Sequence, residues 1–335
     1  MNAVIFAFTD NGVATARRVR GVIGGRIVAP ARLAGGDVEG YEGTLSDAVG
    51  GAFDSDALVF VSAAGIAVRA VAPHAADKRS DPAVLCLDER ARFVIPLLSG
   101  HIGGANRLAR TLADALGATP VVTTATDVNG RFAVDTWAAE RGLSITDMAL
   151  AKAVSAAILT RDVPFCADVG FSDKLPAGLT PGESGPLGVC VSPRDRRPFD
   201  DTLLLVPRAL SVGVGCKKGA SAEAISALID GVLAAHDLRI EAVARVNTID
   251  VKRGEPGLIS LCAARRWPLA FYSAGQLAAV PGAFEESEFV REAVGVGNVC
   301  ERAALAGGGR LIAPKSAGGG VTVAVAELEW GIDFD

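Results

Sequence analysis

The chain has 335 residues, which is too long for one typical hydrophobic core and indicates two or three domains. Half of the residues are apolar and the mean hydropathy is +0.35, so the chain can bury sizeable cores. A net charge of −5 and a pI near 5.4 argue against nucleic acid as a partner.

No segment has the length of a membrane span. The longest nearly apolar run, residues 57–68, is interrupted by Ser62 and fits a buried strand. The opening residues lack the basic start and cleavage site of an export signal, so we expect a cytoplasmic protein with no membrane partner. The six cysteines include no CxxC pair and no His/Cys cluster has metal-ligand spacing, so we expect reduced thiols and no structural zinc.

The first part of the chain alternates strand-like and helix-like segments. The segments AVIFAF, ALVFVSA, AVLCLD, RFVIPLL and TPVVTTATD predict strands, and NGVATARRVRGVIGG and Ala105–Leu116 predict helices. This alternation favours an α/β sheet with helices on its faces, which we assign to residues 1–140.

The middle of the chain, residues 141–207, is harder to assign. DMALAKAVSAAILT predicts a helix, and GVCVSP and DTLLLVP predict short strands. The Pro- and Gly-rich DKLPAGLTPGESGPLG predicts an exposed loop. The pattern does not define a fold, so we expect a small loop-rich region.

A second α/β series occupies residues 208–335. LSVGVGC, AVARVNTID, PLAFYS, RLIAP and VTVAVAEL predict strands, and helices are predicted from near Ser221, in EPGLISLCAARR and in VGVGNVCERAALAGG. The predicted fold is therefore α/β: two α/β domains with mainly parallel sheets, joined by the small loop-rich middle region.

A glycine-rich turn, LLSGHIGGAN, precedes the helix predicted from Ala105 and contains one of only three histidines. Ser99 is placed to cap this helix, and free N–H groups at a helix start bind carboxylate or phosphate. Its candidate ligand contacts are Ser99, Gly100, His101, Gly103, Gly104 and Asn106. The alternative is that the glycines serve only a tight turn, with His101 idle beside it.

The TTATD segment supplies further candidates. We expect Thr123, Thr124, Thr126 and Asp127 to end a strand near the glycine-rich turn, at the edge where open α/β sheets bind ligands. A Thr-rich segment is also simply good strand composition.

Two glycine turns in the last third carry lysines. GVGCKKG is not a dinucleotide fingerprint, because Lys218 stands where the third glycine belongs. The turn nevertheless offers Gly215, Lys217 and Lys218 beside a predicted helix start, and PKSAGGG offers Lys315 and Ser316. A solvated surface and a hairpin turn are the respective alternatives.

The remaining sequence signals are weaker. Arg69 forms a basic cluster with Lys78 and Arg79 between two predicted strands. No G-x-S-x-G motif of an ordinary serine hydrolase occurs, and His74 and His236 lie in contexts that predict no catalysis. His236 is expected to end a helix favourably.

Long stretches of the chain resemble the cobalt-precorrin 5A hydrolases, the CbiG family. Residues 62–130, from SAAGIAVRAV through SGHIGGAN to TTATDVNG, resemble that family's N-terminal domain. Four further stretches resemble that family's C-terminal domain: VGVGCKKGASAEAI, TIDVKRGEPGL, VGVGNVCERAAL and LIAPKSAGGGVTVAVAE. The resemblance covers most of the chain, in the family's order.

The resemblance implies opening of a δ-lactone on a cobalt-bound corrinoid of anaerobic cobalamin biosynthesis. A two-carbon fragment would leave as acetaldehyde, giving cobalt-precorrin 5B. The implied partner is a corrinoid, a tetrapyrrole-derived small molecule, with contacts to neighbouring pathway enzymes as a further expectation. Cobalt enters within the substrate, so no cofactor is expected. The oligomeric state is left open.

Lactone hydrolysis needs a base for water and donors for the oxyanion. We hypothesise that His101 is the base, that Ser99 and the backbone of Gly103 and Gly104 hold water or the oxyanion, and that Asp127 is the second candidate base. Hypothesised carboxylate contacts are Arg69, Lys217, Lys218 and Lys315.

The chief alternative is a non-catalytic corrinoid-binding or carrier protein, since the C-terminal domain resembles a stand-alone component of the aerobic route. A third hypothesis, that this is a nucleotide-binding α/β protein, rests on the glycine turns alone.

Overall fold

The computed structural model describes residues 1–77, 80–100, 103–171 and 174–334. The chain forms two compact units, Met1–Trp137 and Ala138–Asp335. One sheet lies in the first unit and two lie in the second. The finer division into residues 1–140, 141–207 and 208–335 stays a prediction.

The first unit is built on a seven-stranded sheet. Its strands are β1 (Ala3–Ala7), β2 (Arg26–Pro30), β3 (Val38–Tyr41), β4 (Ala57–Val61), β5 (Ala83–Leu87), β6 (Phe93–Leu98) and β7 (Thr119–Pro120). They lie in the order β3-β2-β1-β4-β5-β6-β7. Strands β1 to β5 run parallel, whereas β6 runs antiparallel to β5 and β7 runs parallel to β6.

Helices cover both faces of this sheet. They are α1 (Asp10–Ile23), α2 (Leu45–Gly50), α3 (Ala64–Val71), α4 (Ala105–Leu116) and α5 (Ala125–Val128), and α6 (Val134–Glu140) follows. Strand β1 is apolar throughout because Ile5 enters one hydrophobic core while Val4 and Phe6 enter the other. The rings of Phe6 and Phe60 stack at 5.0 Å across the strand pair β1–β4. The continuous apolar runs in the sequence therefore predicted these central strands correctly.

The predicted strand TPVVTTATD is wrong beyond its first residues. Pairing ends where the Val121 N–H donates to the Val94 carbonyl at 2.8 Å. The Val128 N–H then donates to the Thr124 carbonyl at 2.9 Å, which starts the helical turn α5. Local helical hydrogen bonds thus replace strand pairing, although the segment has strand-like composition.

The middle region contains more regular structure than the sequence indicated. Its elements are β8 (Ser144–Ile145), α7 (Met148–Ile158), β9 (Val163–Ala167), β10 (Leu179–Pro181), β11 (Leu187–Val191) and β12 (Asp201–Val206). The strands form one sheet in the order β10-β9-β11-β12-β8, parallel except for β8. Cys166 and Cys190 from this sheet share a hydrophobic core with Val212 and Ile229 of the following region.

The last part of the chain forms the third sheet, in the order β15-β14-β13-β17-β16. Its strands are β13 (Leu210–Cys216), β14 (Val243–Ile249), β15 (Leu269–Tyr272), β16 (Arg310–Gly318) and β17 (Val321–Glu327). Its helices are α8 (Ala222–Ala235), α9 (Pro256–Arg265), α10 (Ala274–Ala278), α11 (Glu288–Val294) and α12 (Cys300–Leu305). Strands β13, β14 and β15 run parallel, and the hairpin β16–β17 pairs antiparallel to β13.

The two α/β domains with mainly parallel sheets are confirmed. No helix within the described ranges is both long and apolar enough to cross a membrane.

Candidate functional site

The glycine-rich turn joins β6 to α4. Because β6 runs antiparallel to β5, with Leu98 opposite Val84, the turn lies at the amino-terminal edge of the parallel strands. We expected the carboxyl-terminal edge, where open α/β sheets bind ligands. That expectation is wrong for the glycine-rich turn, because β6 runs opposite to the parallel strands β1 to β5.

Ser99 organises the turn with its main chain and its hydroxyl. Its φ is +56°, it is buried, and its Oγ donates a hydrogen bond to the Asp81 carbonyl at 3.0 Å. Its carbonyl accepts from the Ala105 N–H at 3.1 Å. The predicted helix cap is therefore wrong: Gly104, at φ +77°, is the residue before the helix, and no side chain caps it.

The glycines allow the turn to close tightly. A Cβ on Gly103 would lie 2.3 Å from the Ser99 Cβ, so only glycine fits there. A Cβ on Gly100 would lie 2.9 Å from the Asn106 Oδ1. Among the described residues, no backbone hydrogen bond occupies the N–H groups of Gly103 and Gly104. N–H groups at the start of a helix can bind an anionic ligand or an oxyanion.

Asn106 connects the turn to the TTATD segment. Its Nδ2 donates to the Thr124 Oγ1 at 2.8 Å and to the Asp127 Oδ2 at 3.0 Å, and its side chain is buried. The other Asp127 oxygen accepts from the Arg110 guanidinium. The predicted proximity of the two segments therefore holds for these residues, although Thr123 is exposed and Thr126 is buried.

A cavity of about 680 Å³ opens beside the turn. Gly103, Gly104 and Arg107 line it together with residues at the amino-terminal ends of the strands. His101 lies outside the described residues, so its proposed role rests on the sequence.

Arg69 does not join this cavity. It is exposed on α3, which begins at the opposite edge of the sheet from the glycine-rich turn. Its Nη1 lies near Gly65, in the first turn of that helix. Its predicted cluster partners Lys78 and Arg79 lie outside the described residues.

The other two histidines occupy positions typical of structural residues. The His74 Nε2 is 2.8 Å from the Ser46 carbonyl, and the ring packs against Phe53. His236 ends α8 as predicted.

The second unit contains an apolar cavity of about 560 Å³ at the carboxyl-terminal ends of β13 and β14. This is the edge where parallel strands of open sheets bind ligands. The apolar side chains around it come from several elements: Ile249, Phe289, Val290, Ala293, Val294, Val299 and Val321. Phe289 is 80% exposed, which is unusual for a phenylalanine and leaves its ring facing solvent and the cavity.

Four lysines surround this apolar surface: Lys217, Lys218, Lys252 and Lys315. None of the described residues that line the cavity is acidic. Lys217, Lys218 and Lys315 form no ion pair within the described part of the chain. The structure therefore brings Lys315 together with the adjacent pair Lys217 and Lys218, which lies far from it in sequence, and all three are among the predicted carboxylate contacts.

The cavity lining differs from the predicted contacts at two residues. Ser316 lies outside the cavity lining, because consecutive residues on β16 point to opposite faces. Lys252 was missed, although it lies within the TIDVKRGEPGL stretch, because a lone lysine in a loop carries no local signal of a site.

Two glycines of GVGCKKG have different roles: one allows a helix to pack closely on β13, and the other lines the cavity. A Cβ on Gly213 would lie 1.8 Å from the Cys300 carbonyl oxygen, so this glycine lets α12 pack directly on β13. Gly215 lines the cavity beside Cys216. Burial raises the pKa of the Cys216 thiol, which keeps this wall uncharged near neutral pH.

Comparison with known proteins confirms the resemblance found in the sequence. The sequence model of the cobalamin synthesis G N-terminal domain matches residues 48–127, and that of its C-terminus matches residues 210–326. The cobalt-precorrin-5A hydrolase of Salmonella typhimurium is 36% identical, covering 95% of this chain and 95% of its own. The cobalt-precorrin-5A hydrolase of Priestia megaterium is 30% identical, covering 88% of this chain and 84% of its own.

The solved structure of CobE, a protein from the cobalamin biosynthetic pathway, is 32% identical, with a TM-score of 0.34. It covers 36% of this chain and 91% of its own. Both domain types of the cobalamin synthesis G proteins thus occur here in a single chain. The chain belongs to the cobalt-precorrin-5A hydrolase family.

Proposed function

We propose that this protein is a cobalt-precorrin-5A hydrolase, which opens the δ-lactone of a cobalt corrinoid and releases acetaldehyde. The observation that carries the proposal is the cavity of the second unit, where four lysines surround an apolar surface. A corrinoid intermediate combines a flat apolar macrocycle with carboxylates around its rim, and this cavity is complementary to both. Membership of the family, with 36% identity to a hydrolase of this name, supports the same substrate.

The proposed reaction consumes one water and breaks two bonds. Water adds to the lactone carbonyl carbon, and the carbon–oxygen ester bond breaks to give a carboxylate and a free hydroxyl. Removal of the hydroxyl proton then forms the carbonyl of acetaldehyde as the adjacent carbon–carbon bond breaks. The electron pair of that bond stays on the macrocycle, which takes up a proton or delocalises the charge.

The glycine-rich turn is the proposed reacting centre. His101 would remove the proton from water and then from the hydroxyl, since an imidazole titrates near neutral pH and such catalysis contributes about 10²- to 10⁴-fold. The N–H groups of Gly103 and Gly104 would stabilise the oxyanion, each by about 3 kcal/mol. The Ser99 hydroxyl already donates to Asp81, so Ser99 would position the turn rather than the substrate.

Asp127 is the second candidate base. Its two carboxylate oxygens already accept hydrogen bonds from Asn106 and Arg110, so each has a protein donor. We therefore place it second to His101.

The lysines of the second unit are the proposed contacts for substrate carboxylates. Lys217 and Lys218 extend from the turn after β13, and Lys315 from β16. Cobalt would enter as part of the substrate, and we propose no cofactor bound by the protein itself.

Incubation of the protein with cobalt-precorrin 5A tests the proposal. We expect acetaldehyde to accumulate in step with loss of the substrate, measured by an aldehyde-reducing coupled assay and by mass spectrometry of the corrinoid. Tight binding of the corrinoid without acetaldehyde would instead support the carrier alternative.

A further inference from the structure

Lys252 differs from the other three lysines of the cavity. Its side chain is only 15% exposed, and its Nζ lies 3.3 Å from the Glu255 Oε2. Glu255 is itself 5% exposed. The pair therefore lies in a largely dehydrated part of the wall, where electrostatic interactions are stronger than at the surface.

Glu255 fixes the position of two lysine-bearing segments at once. While Oε2 pairs with Lys252, Oε1 accepts a hydrogen bond from the Gly219 N–H at 2.8 Å. Gly219 directly follows Lys217 and Lys218 on the turn after β13. One buried carboxylate thus connects the turn after β13 to the turn after β14.

The ammonium of Lys252 has three donors, and Glu255 is its hydrogen-bond partner among the described residues. A ligand carboxylate at this wall would add a charge-assisted hydrogen bond. An amide or ester in the same place would offer only a neutral acceptor to a dehydrated cation, which is a weaker interaction. Sites with buried polar groups discriminate well against ligands that leave those groups poorly paired.

We infer that Lys252, positioned by Glu255, makes the cavity select a macrocycle with free carboxylates over the same macrocycle with those groups amidated. Lys252 is thus a specificity-determining residue. The inference rests on the proposed function, because it takes the ligand of this cavity to be a corrinoid.

Binding of two cobalt corrins tests the inference without turnover. Cobyrinic acid, whose rim groups are free carboxylates, is compared with its fully amidated counterpart by fluorescence quenching. The wild-type protein should bind the acid at least about tenfold more tightly, the effect of roughly one charge-assisted hydrogen bond. This preference should shrink as salt is added. Equal affinity for the two corrins would overturn the inference.

Substitutions of Lys252 test whether this residue causes the preference for the acid over the amide. Lys252→Met should weaken binding of the acid about tenfold and leave binding of the amide nearly unchanged, whereas Lys252→Arg should keep most of the preference. Lys152→Met, on the exposed surface of α7, is the matched control and should change neither affinity. An undiminished preference in Lys252→Met would contradict the assignment.

Acetaldehyde release from cobalt-precorrin 5A, assayed in parallel, separates the two proposals. A wild-type protein that releases acetaldehyde but binds both corrins equally would contradict the selectivity alone. A protein that prefers the acid but releases no acetaldehyde would contradict the hydrolase alone.

Discussion

Ser99 adopts a left-handed backbone conformation, with φ of +56°, although it has a Cβ. Such a conformation costs a non-glycine residue about 1–3 kcal/mol, and it persists only where surrounding contacts enforce it. Here the enforcing contacts are the hydrogen bonds to Asp81 and from Ala105. Strain of this kind clusters at functional sites, which agrees with placing the reacting centre in this turn.

The role of His101 leads to a prediction for a single substitution. His101→Ala should fold normally and release acetaldehyde at least about a hundredfold more slowly, because it removes the proposed base. The rate is measured on cobalt-precorrin 5A, and folding by circular dichroism. His236→Ala, at the end of α8, is the control and should keep full activity. Full activity in His101→Ala would remove this residue from the mechanism.

Three lysines of the second unit's cavity show how far single residues can be interpreted from sequence. Lys217 and Lys218 could be predicted because they follow a strand within a glycine turn. Lys252 could not, since its importance comes from the fold, which places the turn after β14 beside the turn after β13. A long-range contact through Glu255 leaves no pattern in the neighbouring sequence.

At the scale of elements, the glycine-rich turn depends on close contact between its two ends. Gly103→Ala would place a methyl group 2.3 Å from the Ser99 Cβ, so the backbone must move. We expect the free energy of unfolding to fall by about 1–3 kcal/mol, as for an overpacked site. Acetaldehyde release should fall about a hundredfold, because a shift near 1 Å misplaces the donors.

Thermal denaturation and the acetaldehyde assay measure these two effects. Gly21→Ala, in the exposed part of α1 with no atom within 4 Å of the added methyl, is the control. It should keep its activity and gain up to about 1 kcal/mol of stability from helix propensity. A Gly103→Ala protein with wild-type stability and rate would show that the tight turn is not required.

Most elements could be predicted because their signal is local. The apolar runs of β1, β4 and β5 reflect burial on both faces, and α4 begins and ends where glycines stop the helical pattern. The direction of β6 could not be predicted, since an apolar run does not encode whether a strand runs parallel or antiparallel. Because β6 runs antiparallel to β5, the glycine-rich turn lies at the amino-terminal edge of the parallel strands and not at their carboxyl-terminal edge.

The sheet of the middle region was predicted only in part: GVCVSP and DTLLLVP predicted β11 and β12, whereas β8, β9 and β10 were missed. Strands β8 and β10 have two and three residues, too few to show a period. Burial of β9 and β11 depends on packing with residues such as Val212 and Ile229, from a different part of the chain. Tertiary packing therefore contributes to this sheet beyond what local propensity indicates.

At the scale of the whole molecule, charge is unevenly distributed. The chain carries a net charge of −5, yet the cavity of the second unit collects four lysines and no acidic lining residue in the described part of the chain. A concave surface lined by one sign of charge attracts an oppositely charged ligand despite the overall balance. An acidic protein can therefore bind an anionic corrinoid.

The proposed reaction begins when water adds to the lactone carbonyl of cobalt-precorrin 5A. Turnover in water enriched in heavy oxygen tests it most directly, with mass spectrometry of the corrinoid product and a parallel count of acetaldehyde. We predict that one heavy oxygen atom enters a product carboxylate for each acetaldehyde released. A corrinoid product without the label, or turnover without acetaldehyde, would show that the protein does not carry out this hydrolysis.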